Sequence, residues 1–268
     1  MEADELAQEQ FSAIAVDIEK NYAVLTVDRP DRMNVLNSTV ISELKRALLR
    51  LEEIKGVRAL VLTGRGEKAF AAGADVNEMK DLSPDEARDF ARDGQQLMQQ
   101  VEEFPRPVIA AVNGYALGGG QELMLACDLI VAGKEAEFGQ PEASLGIMPG
   151  YGATQRLPRQ IGERRAKYLL YTGERIDAET ALDFGLVNKV VPGEEVQDRA
   201  EDLARKIADN APVAVKLTKE SVNFGLNEGI DKGTSHEINA FSLCFNTRDQ
   251  EHGLKSFLSG EEPEFEGK

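Results

Sequence analysis

The sequence predicts an α/β fold, a parallel sheet wound with helices, followed by an all-helical C-terminal region. Three observations predict it. Short apolar runs of strand length alternate with longer amphipathic segments through the first part of the chain, which implies crossover units around a parallel sheet. Small-residue and glycine-rich stretches stand between those runs and the helices that follow them. Beyond about Gln155 the alternation stops and helical periodicity takes over. The expected organisation is a core over residues 1–195 that carries the active site and a helical region over residues 196–268. No internal repeat or flexible linker separates them, so the helical region is expected to pack on its own core or on a partner subunit.

Residues 11–19 and 22–27 have strand composition around a turn at Lys20-Asn21, and Asp28-Arg29-Pro30 closes the second strand. Ser38 can cap a helix to about Ile54, with an apolar stripe at Val40, Ile41, Leu44, Leu48 and Leu51. Residues 57–63 read as a strand buried on both faces, and residues 64–73 as a loop. Pro84 opens a helix to about Glu103. Residues 107–112 form the next buried strand, ending at Asn113-Gly114, and a buried helix is expected from Gly118 to Cys127. Residues 128–132 return as a strand. Six helices are then expected, over 161–172, 178–184, 194–210, 212–225, 229–245 and 249–258. The third shows the period at Val196, Ala200, Leu203, Ala204 and Ile207.

The chain of 268 residues is 42% apolar and 29% charged, ordinary for a globular protein, and its net charge is −16. Such a surface repels phosphate backbones, which argues against nucleic acid as a general partner. Any anionic ligand must then rely on local basic residues or backbone N–H groups. Cys127 and Cys244 read as free structural thiols, and no His/Cys/carboxylate cluster has metal-ligand spacing. His236 and His252 lie in polar helical stretches, far along the chain from the glycine motifs. Met1-Glu2-Ala3-Asp4-Glu5 is acidic and lacks an apolar run, so neither a signal nor a transit peptide is expected, and a cytoplasmic location is. No stretch is apolar over the roughly 18 residues a membrane span requires.

Chemistry concentrates in three elements. In Ala69-Phe70-Ala71-Ala72-Gly73-Ala74-Asp75, small residues follow a buried strand and let the backbone approach a ligand, and Asp75 suits a helix N-cap. Leu117-Gly118-Gly119-Gly120-Gln121-Glu122 also joins a strand to a helix. Free N–H groups at two such junctions attract negative charge and can form an oxyanion hole. Taken singly, a glycine triplet is explained as well by tight packing of helix on sheet. The third element is Phe138-Gly139-Gln140-Pro141-Glu142, with Pro149-Gly150 through Arg156 after it. Glu122 and Glu142 each stand in apolar surroundings, where a carboxylate is unusual unless paired or functional. Two converging carboxylates can divide general acid and base work.

The three elements, with Arg29-Pro30, Met33-Asn34 and Ala126-Cys127-Asp128, make the chain resemble the crotonase superfamily, and within it the enoyl-CoA hydratases, from about Ser12 to Phe265. The resemblance implies a crotonase-like spiral of repeated ββα units with a C-terminal helical trimerisation region, and a homotrimer or homohexamer. It implies an acyl-CoA thioester substrate, with coenzyme A carried by the substrate and no separate cofactor or metal. By position, Ala74 and Gly119 would donate N–H groups to the thioester carbonyl. Glu122 and Glu142 would hold one water, which Gly150 helps to place. Arg32, Met33, Ala72 and Asp75 would border coenzyme A. The reaction implied is reversible addition of water to a trans-2-enoyl-CoA, giving a 3-hydroxyacyl-CoA in fatty acid β-oxidation. Glu142 would be the base in hydration and deliver the proton in concert with Glu122.

Two alternatives follow from the same resemblance. A Δ3-Δ2-enoyl-CoA isomerase or another acyl-CoA lyase of the family is one, against which the presence of both glutamates argues. An RNA-binding homologue is the other, against which the charge of −16 and the lack of a basic stripe argue. The chain also departs from the family pattern. Ser259-Gly260-Glu261-Glu262-Pro263-Glu264-Phe265 is acidic where hydratases often carry a basic cluster, which leaves Arg32 as the candidate for coenzyme A phosphates.

Overall fold

The computed structural model describes residues 10–268, so the acidic segment Met1 to Glu5 lies outside the described residues. The chain opens with a hairpin. Strands β1 (Ile14–Ile18) and β2 (Ala23–Val27) pair antiparallel, with Ile14 opposite Val27. Helix α1 (Ser38–Glu53) follows and buries the predicted stripe. Its cap is Asn37 rather than Ser38: the Asn37 side chain accepts from the Val40 N–H at 3.0 Å. Both residues suit an N-cap, and sequence alone does not choose between neighbours.

Three strand pairs then repeat one pattern. β3 (Leu60–Gly64), β5 (Val108–Val112) and β7 (Leu129–Gly133) enter one sheet. Each is followed by a three-residue strand, β4 (Ala69–Ala71), β6 (Tyr115–Leu117) or β8 (Glu137–Gly139), that enters a second sheet. Each pair leads into helical structure: α2 (Val76–Met79) and α3 (Pro84–Glu102), then α4 (Gly119–Leu125), then a 3₁₀ turn (Pro141–Leu145) and α5 (Ala153–Ile161). This is the expected spiral of ββα units. The first sheet is ordered β1-β2-β3-β5-β7-β10, with β10 at Lys189–Val191, and is parallel from β2 onward. The second is ordered β4-β6-β8-β9, with β9 at Arg175–Asp177.

Alternate residues of the long strands face opposite sides, as strand geometry requires. Leu60 and Leu62 join the main core, beneath α1, α3 and α4. Ala59 and Val61 face the other way, onto Val196, Ala200 and Ala204 of helix α8 (Val196–Ala208). Helix α8 therefore covers the outer face of the large sheet, and the expected boundary between residues 195 and 196 falls at its start. Between the 3₁₀ turn and this helix come α5, α6 (Glu163–Thr172) and α7 (Ala178–Phe184). Three more helices complete the chain: α9 (Pro212–Glu228), α10 (Ile230–Cys244) and α11 (Arg248–Ser259).

Polar ties hold the C-terminal region to the core. Lys219 donates to Asp128 Oδ2 at 2.7 Å and to the Arg106 carbonyl at 3.1 Å. Asn223 donates to the Glu102 carbonyl, and Arg58 reaches the carbonyls of Ala208 and Phe265. The outward faces are strongly apolar: Ile230, Ile238, Phe257 and Leu258 are each more than 70% exposed. Cys127 and Cys244 are both free thiols, and burial pushes the Cys127 thiol far up from its usual range. No helix among the described residues is long and apolar enough to cross a membrane.

Candidate active site

Two strand-to-helix junctions meet at the centre of the spiral. At the first, Leu36 bridges Ala74 in parallel register: the Leu36 N–H donates to the Gly73 carbonyl, and its carbonyl accepts from the Asp75 N–H. A residue bridged this way by its two neighbours has its own N–H turned away from the bridging strand. The Ala74 N–H therefore points from Leu36 toward the second junction. Asp75 caps α2 as anticipated, accepting from the Asn77 N–H at 3.0 Å.

At the second junction Gly118 sits at φ 49°, ψ −123°, a backbone state that side chains disfavour. It turns the chain from β6 into α4. Gly119 is the first residue of that helix, so its N–H has no partner within the helix. A Cβ on Gly119 would lie 3.2 Å from the Ala74 nitrogen, which places the two peptide segments side by side. A Cβ on Gly120 would lie 1.8 Å from the Ala71 carbonyl oxygen. Tight helix–sheet packing thus accounts for Gly120, while Gly119 borders the donor pair.

Glu122 lies one turn into α4 and is 2% exposed. Its Oε1 accepts from the N–H groups of Tyr151 at 2.8 Å and Ala153 at 2.9 Å. Burial raises its carboxyl above the usual range, while those backbone bonds and the Arg156 charge pull it back toward the anion. Glu142 sits in the 3₁₀ turn after β8 and is 9% exposed. A Cβ on Gly118 would lie 2.8 Å from its Oε1, so the carboxylate rests against the same turn that begins α4. Burial raises Glu142 to about 7; its own backbone N–H opposes the rise, and the Glu122 charge adds to it. Two carboxylates that feel each other titrate as a pair.

The surrounding shell contains groups that the motifs alone do not announce. With its amide nitrogen facing the carboxylate, Gln140 lies 3.0 and 3.1 Å from the two Glu142 oxygens, and the wholly buried Gln121 stands 3.2 Å behind it. Tyr151, 2% exposed, follows Gly150 directly. Gln95 of α3 donates to the Gly150 carbonyl at 2.8 Å and so fixes the turn that brings Tyr151 and Ala153 to Glu122. One sequence signal could have flagged this packing. Gly94 stands in the middle of a helix, where glycine is unfavourable without a packing reason.

Of the residues expected at coenzyme A, Met33 and Ala72 are tied together, the Ala72 N–H donating to the Met33 carbonyl at 3.0 Å. Met33 and Asn34 both take φ of 54°. Asn34 is fully buried and accepts from the Arg29 N–H while donating to the Arg65 and Ala69 carbonyls, which pins this loop to the start of β4. Arg32 is exposed at the end of the 3₁₀ turn Pro30–Arg32. The histidine His236 contacts Ser221 and stacks on Phe224 within α9 and α10, apart from the glutamates.

Two buried carboxylates beside paired backbone donors, on a ββα spiral, define a crotonase-type acyl-CoA enzyme. The chain belongs to the enoyl-CoA hydratase/isomerase family, which it matches over residues 17–268. It is 44% identical over 249 residues to the short-chain-enoyl-CoA hydratase of Clostridium acetobutylicum, covering 93% of this chain and 95% of that one. It is 45% identical over 255 residues to the crotonyl-CoA hydratase of Syntrophomonas wolfei, covering 95% and 98%. The crystal structure of an enoyl-CoA hydratase from Bacillus anthracis superposes with a TM-score of 0.93 at 40% identity, covering 96% of this chain and all of that one.

Proposed function

We propose that Glu122 and Glu142 hold one water between them and add it across the double bond of a trans-2-enoyl-CoA. The protein is an enoyl-CoA hydratase, a hydro-lyase. The observation that carries the residue roles is that the buried Glu142 carboxylate rests against the turn that also presents Gly119 beside Ala74, with the buried Glu122 near enough for its charge to act on Glu142.

The thioester oxygen would take hydrogen bonds from the Ala74 and Gly119 N–H groups. Water attacks the β-carbon, and the electron pair of the double bond moves through the α-carbon onto that oxygen as an enolate. Donors already aimed at the growing charge stabilise this state without rearranging. Glu142 removes a proton from the water and returns one to the α-carbon, so hydrogen and hydroxyl are both added and the carboxylate is regenerated. A carboxyl near 7 can both accept and release a proton at neutral pH. Glu122, its Oε1 held by two backbone donors, orients the water, and Gly150 helps to place it. The charge is absorbed by the substrate's own thioester, so the scheme needs no group beyond the coenzyme A that the substrate carries.

Met33, Ala72 and Asp75 would line coenzyme A, with Arg32 at its phosphates. The active site belongs in this reading to residues 1–195 and self-association to the helices after them. The exposed apolar faces of α9 to α11 support a homotrimer or homohexamer, since a monomer rarely leaves so much apolar surface in water. Two free thiols support a reducing, cytoplasmic setting.

The test is loss of absorbance at the conjugated thioester of crotonyl-CoA. The protein should hydrate it, and Glu122→Gln should slow turnover by about 10²- to 10⁴-fold. A folded wild type without hydratase activity removes the reading. A Glu122→Gln variant that keeps more than about a tenth of the rate removes that residue from catalysis.

A further inference from the structure

The Tyr151 side chain plays no part in the scheme above, yet it occupies a demanding place. Its backbone is fixed on both sides: the N–H donates to Glu122 at 2.8 Å, and the carbonyl accepts from Arg156 at 3.3 Å. One edge of the ring faces Gly119, where a Cβ would lie 3.2 Å from ring carbon Cδ2. The other edge presses on Gly94 of α3, where a Cβ would lie 2.1 Å from Cε1. Phe90, one turn earlier, packs on the same ring at 5.6 Å between centroids. The ring thus fills the gap between the start of α4 and the side of α3, and Gly94 is the residue that makes room for it. The hydroxyl is buried and has no hydrogen-bond partner. A phenol placed this way is costly, so its bulk needs a reason.

The substrate supplies one. With the thioester carbonyl at Ala74 and Gly119 and the β-carbon at the water between the glutamates, the acyl chain must continue past the β-carbon, away from coenzyme A. The Tyr151 ring lies against Gly119 of the oxyanion junction while its backbone N–H holds Glu122, which sets the ring beside that path. Burial pushes the hydroxyl far up from its usual range, and the charges of Glu122, Asp93 and Glu78 add to the rise, so it stays a neutral phenol. We infer that the Tyr151 ring closes the acyl end of the site and confines hydration to short enoyl chains. This inference rests on the hydratase reading and adds a specificity determinant to it.

The experiment compares kcat/KM for trans-2-butenoyl-CoA and trans-2-decenoyl-CoA in wild type, Tyr151→Phe and Tyr151→Ala. The ratio of the two substrates cancels any difference in active fraction. Wild type and Tyr151→Phe should favour the four-carbon substrate by at least about tenfold, the scale on which a closed pocket rejects added methylenes. Tyr151→Ala should move the ratio toward decenoyl-CoA by at least about tenfold. Should the alanine variant fail to fold, Tyr151→Leu carries the same expectation with a smaller shift. An unchanged ratio in the truncated variant overturns the inference, as does a wild type that hydrates both lengths equally, and either result leaves the hydratase reading intact. A wild type that hydrates neither substrate overturns both.

Discussion

Replacing Glu142 with glutamine should make the protein slower and more stable at once. Burial lifts this carboxyl from 4.5 to about 7, so the fold penalises its charged form. Because the folded value lies above the unfolded one, the carboxyl's favourable contribution is complete below about 4.5 and is lost as pH rises through about 7. At roughly 1.36 kcal/mol per pH unit, ionisation costs the wild type about 3 kcal/mol at pH 8. That figure is an upper value, because Gln140 can donate to the carboxylate and offset part of it. Glutamine is nearly isosteric and does not titrate, so Glu142→Gln escapes the cost. Its advantage should approach 3 kcal/mol at pH 8 and fall below about 1 kcal/mol at pH 5. For a chain of this size that is up to about 10 °C in unfolding temperature at the higher pH. Turnover should drop by about 10²- to 10⁴-fold. Thermal unfolding of both proteins at pH 5 and 8, beside the crotonyl-CoA assay, reads both effects. A variant no more stable than wild type at pH 8 would show that the site does not strain this carboxylate.

If Glu142 alone carries the proton, kcat/KM for hydration should fall about tenfold per pH unit below about 7 and stay level above it, whereas a bell-shaped profile would show that one glutamate gives the proton and the other takes it. Gly119→Pro removes the donor N–H, and once shown to be folded it should lose about 10²- to 10³-fold in kcat while still binding coenzyme A; normal turnover would mean that the glycine only packs the helix. Arg32→Ala should raise KM for an acyl-CoA with kcat nearly unchanged, and the effect should shrink with salt. A pantetheine thioester lacks the nucleotide phosphates, so an equal response from it would exclude Arg32 as their ligand.

The candidate site is legible in the sequence because its parts are local. Asp75 as a cap, glycines between a strand and a helix, and glutamates in apolar surroundings each leave a signature within a few residues. The long strands are legible for the same reason: a run of about five apolar residues between turn signals fits a strand buried on both faces. The second sheet is not legible. β4, β6, β8 and β9 are three residues each, too short for any period, and β4 lies inside the stretch expected to be a loop. β10 escapes detection on the same ground. Helix α5 carries Pro158 in its interior and begins at a glycine with φ of 117°, so both its start and its middle read as irregular chain. Least visible are the partners of Glu122. The Tyr151 and Ala153 N–H groups lie 29 and 31 residues away and act through the backbone, which leaves no mark on residue type.

The division between backbone and side chain at this centre bears on how the enzyme can change over generations. The two groups assigned to the thioester oxygen are peptide N–H groups, so they are written into the path of the chain and survive most replacements at Ala74. The proton chemistry proposed for it rests on two side chains carried by separate elements, α4 and the 3₁₀ turn after β8. A single codon change can erase or replace either carboxylate while the means of steadying an enolate stays in place. Gly118 and Gly120 lack that latitude, each for its own reason: a carboxylate oxygen and a strand carbonyl stand where a side chain would go. Random mutagenesis should therefore leave these two positions nearly invariant among folded descendants, while positions 122 and 142 drift freely wherever selection is for binding a thioester rather than hydrating it.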